Sequence, residues 1–268
     1  MSEIVNENVN VNEKLVITIM AAGEGKRMNS DIPKVLHHFK GIPMLIRIIL
    51  ESLKINPSKI IIITGKYDEL IKSTVFTYFN NDKNNKYNKN NNDCINKLTF
   101  VKQVIPNGTG DAIKSVLGYY NDDEKVLILN GDMPLIKSDL LRKFIDFESN
   151  LLIAQLDNPF GYGRIIKDEN NKFIAIREQK DCNTEEKEIK EVNVGIYLFN
   201  GNILKKYIPM IENNNAQKEY YLTDIIEILR TNENQMEIKT YLINRDDTYM
   251  ICGVNTKEEL EELEKKIV

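Results

Sequence analysis

Between Leu15 and Asn130 the chain repeats one pattern, a short apolar run followed by an amphipathic stretch of helical period. The apolar runs are Leu15–Met20, Lys59–Thr64, Leu98–Val104 and Lys125–Asn130. Between them, Pro43–Lys54 carries Leu45, Ile46, Ile49, Leu50 and Leu53 on one helical face. Asp68–Tyr78 does the same with Leu70, Ile71, Val75 and Phe76, and Thr109–Tyr119 with Ala112, Ile113, Val116 and Leu117. Runs bounded in this way read as buried strands, and their alternation with helices predicts an α/β fold with parallel strands covered on both faces. Ligands of such sheets bind beyond the carboxyl ends of the strands. Two polar motifs fall at those ends: the glycine-rich turn after Met20 and Gly131-Asp132 after KVLILN.

The second half changes character. Leu151–Leu156, Glu191–Phe199 and Met236–Ile243 read as strands, and Tyr162–Lys167 and Lys172–Glu178 as a hairpin about Asp168-Glu169-Asn170-Asn171. Tyr220–Arg230 and the charged Lys257–Lys266 read as helices. No linker rich in Pro, Gly or Ser separates the halves, and no internal repeat is visible. The simplest organisation is a single domain over 1–268, with a nucleotide-binding sheet and a β-rich region appended. Residues 1–14 are expected to be a flexible N-terminus. Residues 80–96, which include NNDKNNKYNKNNN, are expected to be an Asn-rich surface insertion, because so few apolar groups cannot offset ordering entropy.

Composition narrows the function classes. The chain has 268 residues, 42% of them hydrophobic, which is ample for a large core. A net charge of −4 argues against a nucleic-acid surface, which needs clustered positive charge. It leaves room for a nucleotide, which needs only a few local cations. Cys94, Cys182 and Cys252 are scattered and have neither zinc spacing nor a disulfide framework. The polar, acidic start is no signal peptide, and no apolar run reaches the ~20 residues of a membrane span. A cytoplasmic setting without a membrane partner is the expectation.

The chemistry is concentrated in four places. In AAGEGKRM the strand ending at Met20 opens into Ala21, Ala22, Gly23, Glu24 and Gly25, followed by Lys26 and Arg27. Exposed backbone N–H groups with cations beside them suit a phosphate chain. The loop is not a dinucleotide fingerprint, because Met28 stands where the third glycine belongs, and no GK[ST] closes a Walker A loop. Lys34 follows a few residues on, after Pro33. In VLILNGDMPLI, Asp132 places a carboxylate at the sheet edge. It suits Mg2+ held by one or two side chains plus phosphate oxygens, or equally a turn cap before Pro134. Gln103 ends a strand and can pair with a base edge; Gly108 permits close approach, and Thr109 can cap the helix after it. The last place is a scatter of polar residues in the β-rich half: Gly161-Tyr162-Gly163-Arg164, Glu178, Asn193 and NNNAQKEYYLTD.

Taken together, AAGEGKRM, DIPKVLH, QVIPNGTGDA, NGDMPLI, NPFGYGRI, REQKD, EVNVGIY, NNNAQKEYYLTDII and GVNTKEEL resemble the N-acetylglucosamine-1-phosphate uridyltransferase family, in order, from about Ile19 to Leu260. The resemblance implies a Rossmann-like mixed sheet flanked by helices, of nucleotide-diphospho-sugar transferase type, with a β-rich sugar-binding region. It implies uridylyl transfer from UTP to N-acetylglucosamine-1-phosphate, with Mg2+ as cofactor and pyrophosphate as the second product. By position, Ala21, Ala22 and Gly23 would cradle the triphosphate, with Arg27 gripping pyrophosphate and Lys34 bridging the reacting phosphates. Gln103, Gly108 and Thr109 would hold uracil, and Asp132 and Asn255 the metal. Gly163, Glu178 and Asn193 would bind the sugar, with Glu219, Tyr221 and Thr223 shaping its N-acetyl pocket.

Some positions depart from the family pattern. Asn130 replaces a usual Tyr, Val194 a common Thr and Lys218 a Gly. No hexapeptide repeat follows, so the acetyl transfer and trimeric β-helix of the bifunctional bacterial enzymes are not expected. A nucleotidyltransferase for another sugar-1-phosphate, or a non-catalytic sugar-nucleotide-binding protein, are the alternatives. The phosphate nucleophile is already ionised at neutral pH, so no Ser, Cys or His nucleophile is required, and His37 and His38 read as structural.

Overall fold

The computed structural model describes residues 12–81, 91–232 and 237–266. The expected N-terminal tail up to residue 11 and the insertion's residues 82–90 lie outside the described residues.

The alternating half folds as its periodicity predicts. Strands β1 (Asn12–Met20), β4 (Pro57–Thr64), β5 (Leu98–Lys102) and β6 (Lys125–Asn130) lie parallel in the order β6-β1-β4-β5. A short ribbon, β2 (His38–Phe39) with β3 (Ile42–Pro43), precedes helix α1 (Met44–Leu53). Helix α1 buries Leu45, Ile46, Ile48 and Ile49 against Leu15, Ile17, Ile60 and Ile62 of the sheet. Helices α2 (Asp68–Asn81) and α3 (Asn91–Asn96) follow β4, and Cys94 and Ile95 pack on the core. The C-terminal end of the Asn-rich tract is therefore helical, because Cys94 and Ile95 give it an apolar side that the core covers, while Asn80 and Asn81 simply finish α2. The expected strand Leu98–Val104 stops at Lys102, leaving Val104 82% exposed. Helix α4 (Thr109–Lys114) is shorter than its periodicity and passes into a 3-10 turn at Leu117–Tyr119.

The β-rich half enters the same sheet. Helix α5 (Ser138–Asp146), which is not among the expected elements, leads to β7 (Leu151–Gln155). The hairpin β8 (Gly163–Lys167) and β9 (Phe173–Arg177) follows, then α6 (Thr184–Lys187) and β10 (Glu191–Asn200). Strand β10 runs antiparallel between β6 and β7 and also pairs with β8, giving a nine-stranded mixed sheet. Helices α7 (Gly201–Tyr207) and α8 (Ile225–Asn232) and strand β11 (Thr240–Leu242), parallel to β7, complete it, with α9 (Lys257–Lys266) last. The expected helix Tyr220–Arg230 begins only at Ile225, after a 3-10 turn at Leu222–Asp224.

Two apolar layers cover the two faces of the sheet. A third, smaller cluster joins Met28, Phe39, Met44, Leu135, Val254, Leu260 and Leu263. This accounts for Met28: it is 1% exposed and fastens the glycine-rich loop to α9. A glycine at that position would give the cluster nothing to bury.

Candidate active site

Strands β1 and β6 are parallel neighbours in register, with Met20 opposite Asn130, so the two motifs expected at strand ends do open side by side. After Met20, Ala21 is buried and donates its N–H to the Ile63 carbonyl at 2.8 Å. Ala21 therefore offers no free amide to a phosphate chain, and the open part of the loop begins at Ala22. Gly25 has φ +65°, and a Cβ there would lie 2.5 Å from Lys34 Cβ, so the loop folds down over the stem of Lys34. Lys34 heads a 3-10 turn just after Pro33.

The residues read as catalytic and those read as metal-binding form one knot. Lys34 Nζ donates to Asp132 Oδ2 and, at 3.1 Å, to Asn255 Oδ1; Arg27 donates to that same Asn255 oxygen at 3.0 Å. Asn255 is distant in sequence but arrives through the backbone, because Val254 N donates to the Asp132 carbonyl at 3.0 Å. The Glu259 carboxylate accepts the Asn255 N–H at 2.7 Å and fixes it at the head of α9. Among the described residues, no three His, Cys, Asp or Glu side chains are grouped to hold a metal. Asp132 and Asn255 nevertheless offer two hard oxygens to one positive centre, now an ammonium, and that donor set fits Mg2+ completed by phosphate oxygens.

Two cavities meet at this knot. One, of about 290 Å³, is lined by Ala22, Gly23, Lys34, Gln103, Gly108 and Glu219 among others. The other, of about 460 Å³, is lined by Gly163, Glu178, Asn193 and Thr223 together with Asn255 and Glu259 of the C-terminal segment. Met20, Thr109, Asn130 and Asp132 belong to both walls. Residues read as nucleotide-binding thus gather on one side of Asp132 and most of those read as sugar-binding on the other.

The details correct several expectations. Thr109 does not cap its helix: Gly108 is the N-cap residue, and the Thr109 hydroxyl instead accepts the Leu222 N–H at 2.9 Å. Glu219 lines the smaller cavity rather than the larger. Tyr221 is buried, lines neither cavity, and accepts from Gln217 Nε2 at 2.8 Å. Gln103 is also buried, and its amide nitrogen is spent on Asp111 Oδ2 at 2.8 Å and on the Gly108 carbonyl at 3.3 Å. Asn193 donates to Tyr197 Oη at 2.8 Å and accepts Gly195 N–H at 2.9 Å, across an irregularity in β10 that turns it toward the larger cavity. Glu178 accepts from Thr223 Oγ1 at 3.1 Å, and burial pushes its carboxyl pKa above the usual range, reinforced by Asp181 and Glu219.

Sequence reasoning missed part of the larger cavity. Phe160 stands at its wall 76% exposed, on a turn tied by Gly161 N–H to Gln179 Oε1 at 3.0 Å. Gln179 is held in turn by Arg164 at 2.8 Å, a guanidinium only 1% exposed. Glu262, Leu263 and Lys266 bring α9 into the wall. The period of α9 marked it as a helix, but nothing in its charge pattern told which cavity it would close.

A crevice of this form, with a glycine turn and two cations at the carboxyl edge of a mixed sheet, defines a class, the nucleotidyltransferases. Residues 17–162 match the family described as the MobA-like NTP transferase domain, and the chain belongs to that family. It is similar to a probable UDP-N-acetylglucosamine pyrophosphorylase of Acanthamoeba polyphaga mimivirus, 42% identical over 262 residues, covering 95% of this chain and 97% of that protein. It is also similar to the bifunctional protein GlmU of Legionella pneumophila strain Philadelphia 1, 35% identical over 260 residues. There the match covers 94% of this chain but 52% of the relative, so the chain spans about half the length of the bifunctional proteins. In fold it resembles a UDP-glucose pyrophosphorylase solved with UDP-glucose, at a TM-score of 0.69 and 18% identity, covering 94% of this chain and 97% of that one. Among the described residues, no helix is long and apolar enough to cross a membrane.

Proposed function

We propose that this nucleotidyltransferase moves a uridylyl group from UTP to N-acetylglucosamine-1-phosphate, releasing pyrophosphate. The observation that carries the reading is the meeting of two cavities at Asp132, with Lys34 and Arg27 beside it. Similarity to a probable UDP-N-acetylglucosamine pyrophosphorylase over nearly all of both chains supports the choice of sugar and base.

A phosphate oxygen of the sugar phosphate attacks the α-phosphorus of UTP. A new P–O bond forms, the bond to the β-phosphate oxygen breaks, and pyrophosphate leaves with that electron pair. The attacking oxygen carries no proton at neutral pH, so positioning and charge neutralisation supply the catalysis. Lys34 would offset charge on the reacting phosphates and Arg27 charge on the departing pyrophosphate. Asp132 and Asn255 would hold Mg2+, which when bound withdraws charge from phosphate oxygens. Gln103 and the Gly108 turn would confine a pyrimidine, and Glu178, Asn193 and Thr223 the sugar.

The test is pyrophosphate release by the full chain with Mg2+, a panel of nucleotides and a panel of sugar-1-phosphates. UTP with N-acetylglucosamine-1-phosphate is expected to be fastest and dTTP the next nucleotide. A faster rate with glucose- or galactosamine-1-phosphate would move the assignment to another sugar. Release with GTP at a comparable rate would overturn the base pocket, and no release with any sugar would make the chain a binding protein.

A further inference from the structure

The knot at the centre of the site has one cation doing two incompatible jobs. Lys34 Nζ donates to Asp132 Oδ2 and Asn255 Oδ1, the same two oxygens proposed to hold the metal. The same ammonium is proposed to bridge phosphates. A magnesium ion needs its oxygens at about 2.0–2.1 Å, inside the space the ammonium fills, and two cations at that separation repel. The side chains of Lys34 and Asp132 are only 15% and 20% exposed, so Asp132 gains from a positively charged partner while no ligand is bound. The stem of Lys34 is hemmed in by Gly25 and its own turn, so the ammonium end is the part able to move.

We propose that Lys34 is a displaceable counter-ion of the Asp132–Asn255 oxygen pair, yielding it to a divalent cation only when a triphosphate takes the ammonium. The inference rests on the metal reading proposed above. It makes cation and nucleotide binding mutually reinforcing. By linkage, the factor by which nucleotide tightens the cation equals the factor by which the cation tightens nucleotide. The residue that prepares the site for chemistry also keeps bare cations out of it.

The experiment measures Mn2+ binding to the full chain by electron paramagnetic resonance, with Mn2+ alone and then with UTP added. Lys34→Met is expected to bind Mn2+ alone about tenfold more tightly than wild type, within the usual range of site coupling, and to gain less from UTP. Lys26→Met removes an equal charge from the adjacent glycine-rich loop, where Lys26 faces Glu24 at 3.6 Å and neither oxygen, and is expected to stay within about twofold of wild type for Mn2+ alone. Equal tightening by both variants, or none by Lys34→Met, overturns the counter-ion role. Lys34→Gln gives a second reading should the methionine variant not fold. Asp132→Asn separates the two ideas: if it binds Mn2+ with UTP as wild type does, the metal reading itself falls.

Discussion

Asn130 and Gly195 face one another at the boundary of the two cavities. Gly195 has φ +80°, and a Cβ there would sit on the Asn130 amide nitrogen. Gly195→Ala should cost about 1–3 kcal/mol in stability through backbone strain and push Asn130 off its position. Raised KM for both substrates, with a lowered melting temperature, is the expected result; unchanged KM values would show that Asn130 shapes neither cavity. At this scale the sequence was legible where a residue type has few other uses. Arg27, Lys34 and Asp132, legible from their places after strand ends, do converge, and Asn255, to which only the resemblance pointed, joins them from 228 positions beyond Arg27. Met28, legible only as a missing glycine, is the apolar anchor of the loop. Phe160 gave no signal, because a single aromatic in a turn reads the same whether it faces solvent or a cavity.

Between elements, the decisive joint is the pairing of the 107–110 turn with the 220–222 segment. Tyr220 N–H donates to the Asn107 carbonyl at 2.7 Å, Gly110 N–H to the Tyr220 carbonyl at 2.7 Å, and Leu222 N–H to the Thr109 hydroxyl. It brings the loop read as base-binding against the segment read as sugar-binding. Thr109→Val keeps the shape and removes the acceptor. The expected cost is about 1–3 kcal/mol, the range for an orphaned backbone donor, with faster hydrogen exchange at Leu222 and its neighbours. Exchange unchanged at Leu222 would mean the joint holds without Thr109. Periodicity revealed the strands and helices that build each half but not this joint, since a threonine before a helix suits a cap equally well. Helix α5 is a related case: Leu140, Leu141, Phe144 and Ile145 form a helical stripe, but it follows directly on the NGDMPLI turn, with no side-chain cap to mark where the helix begins.

For the molecule as a whole, the pH dependence of stability gains one contribution from Asp224, which lies near three other carboxylates. Burial, then the proximity of Glu178, Glu227 and Asp181, raises Asp224 from 3.8 to about 6. Between those values the folded chain holds a proton that the unfolded chain has released, so this group's contribution to stability falls as pH rises from about 4 to 6. Asp224→Asn should flatten that slope and leave the protein about 1 kcal/mol more stable at pH 7, the figure reduced for the partial exposure of the side chain. Thermal melts of both forms across pH 4–8 check it, and parallel slopes would defeat it. The mixed sheet was expected from the resemblance. The place of β10 was not, because alternation of apolar residues tells that a strand is buried and not which neighbours it joins. That placement bears on how the protein is made. Strand β10 and residues 220–222 close the crevice onto a half of the chain synthesised earlier, so the contacts that complete the site have large sequence separation and carry a large loop-closure cost. An N-terminal fragment ending near residue 150 would hold the glycine turn, Arg27, Lys34 and Asp132, and still be no nucleotide site; binding should appear late in refolding, together with the last long-range strand pairing.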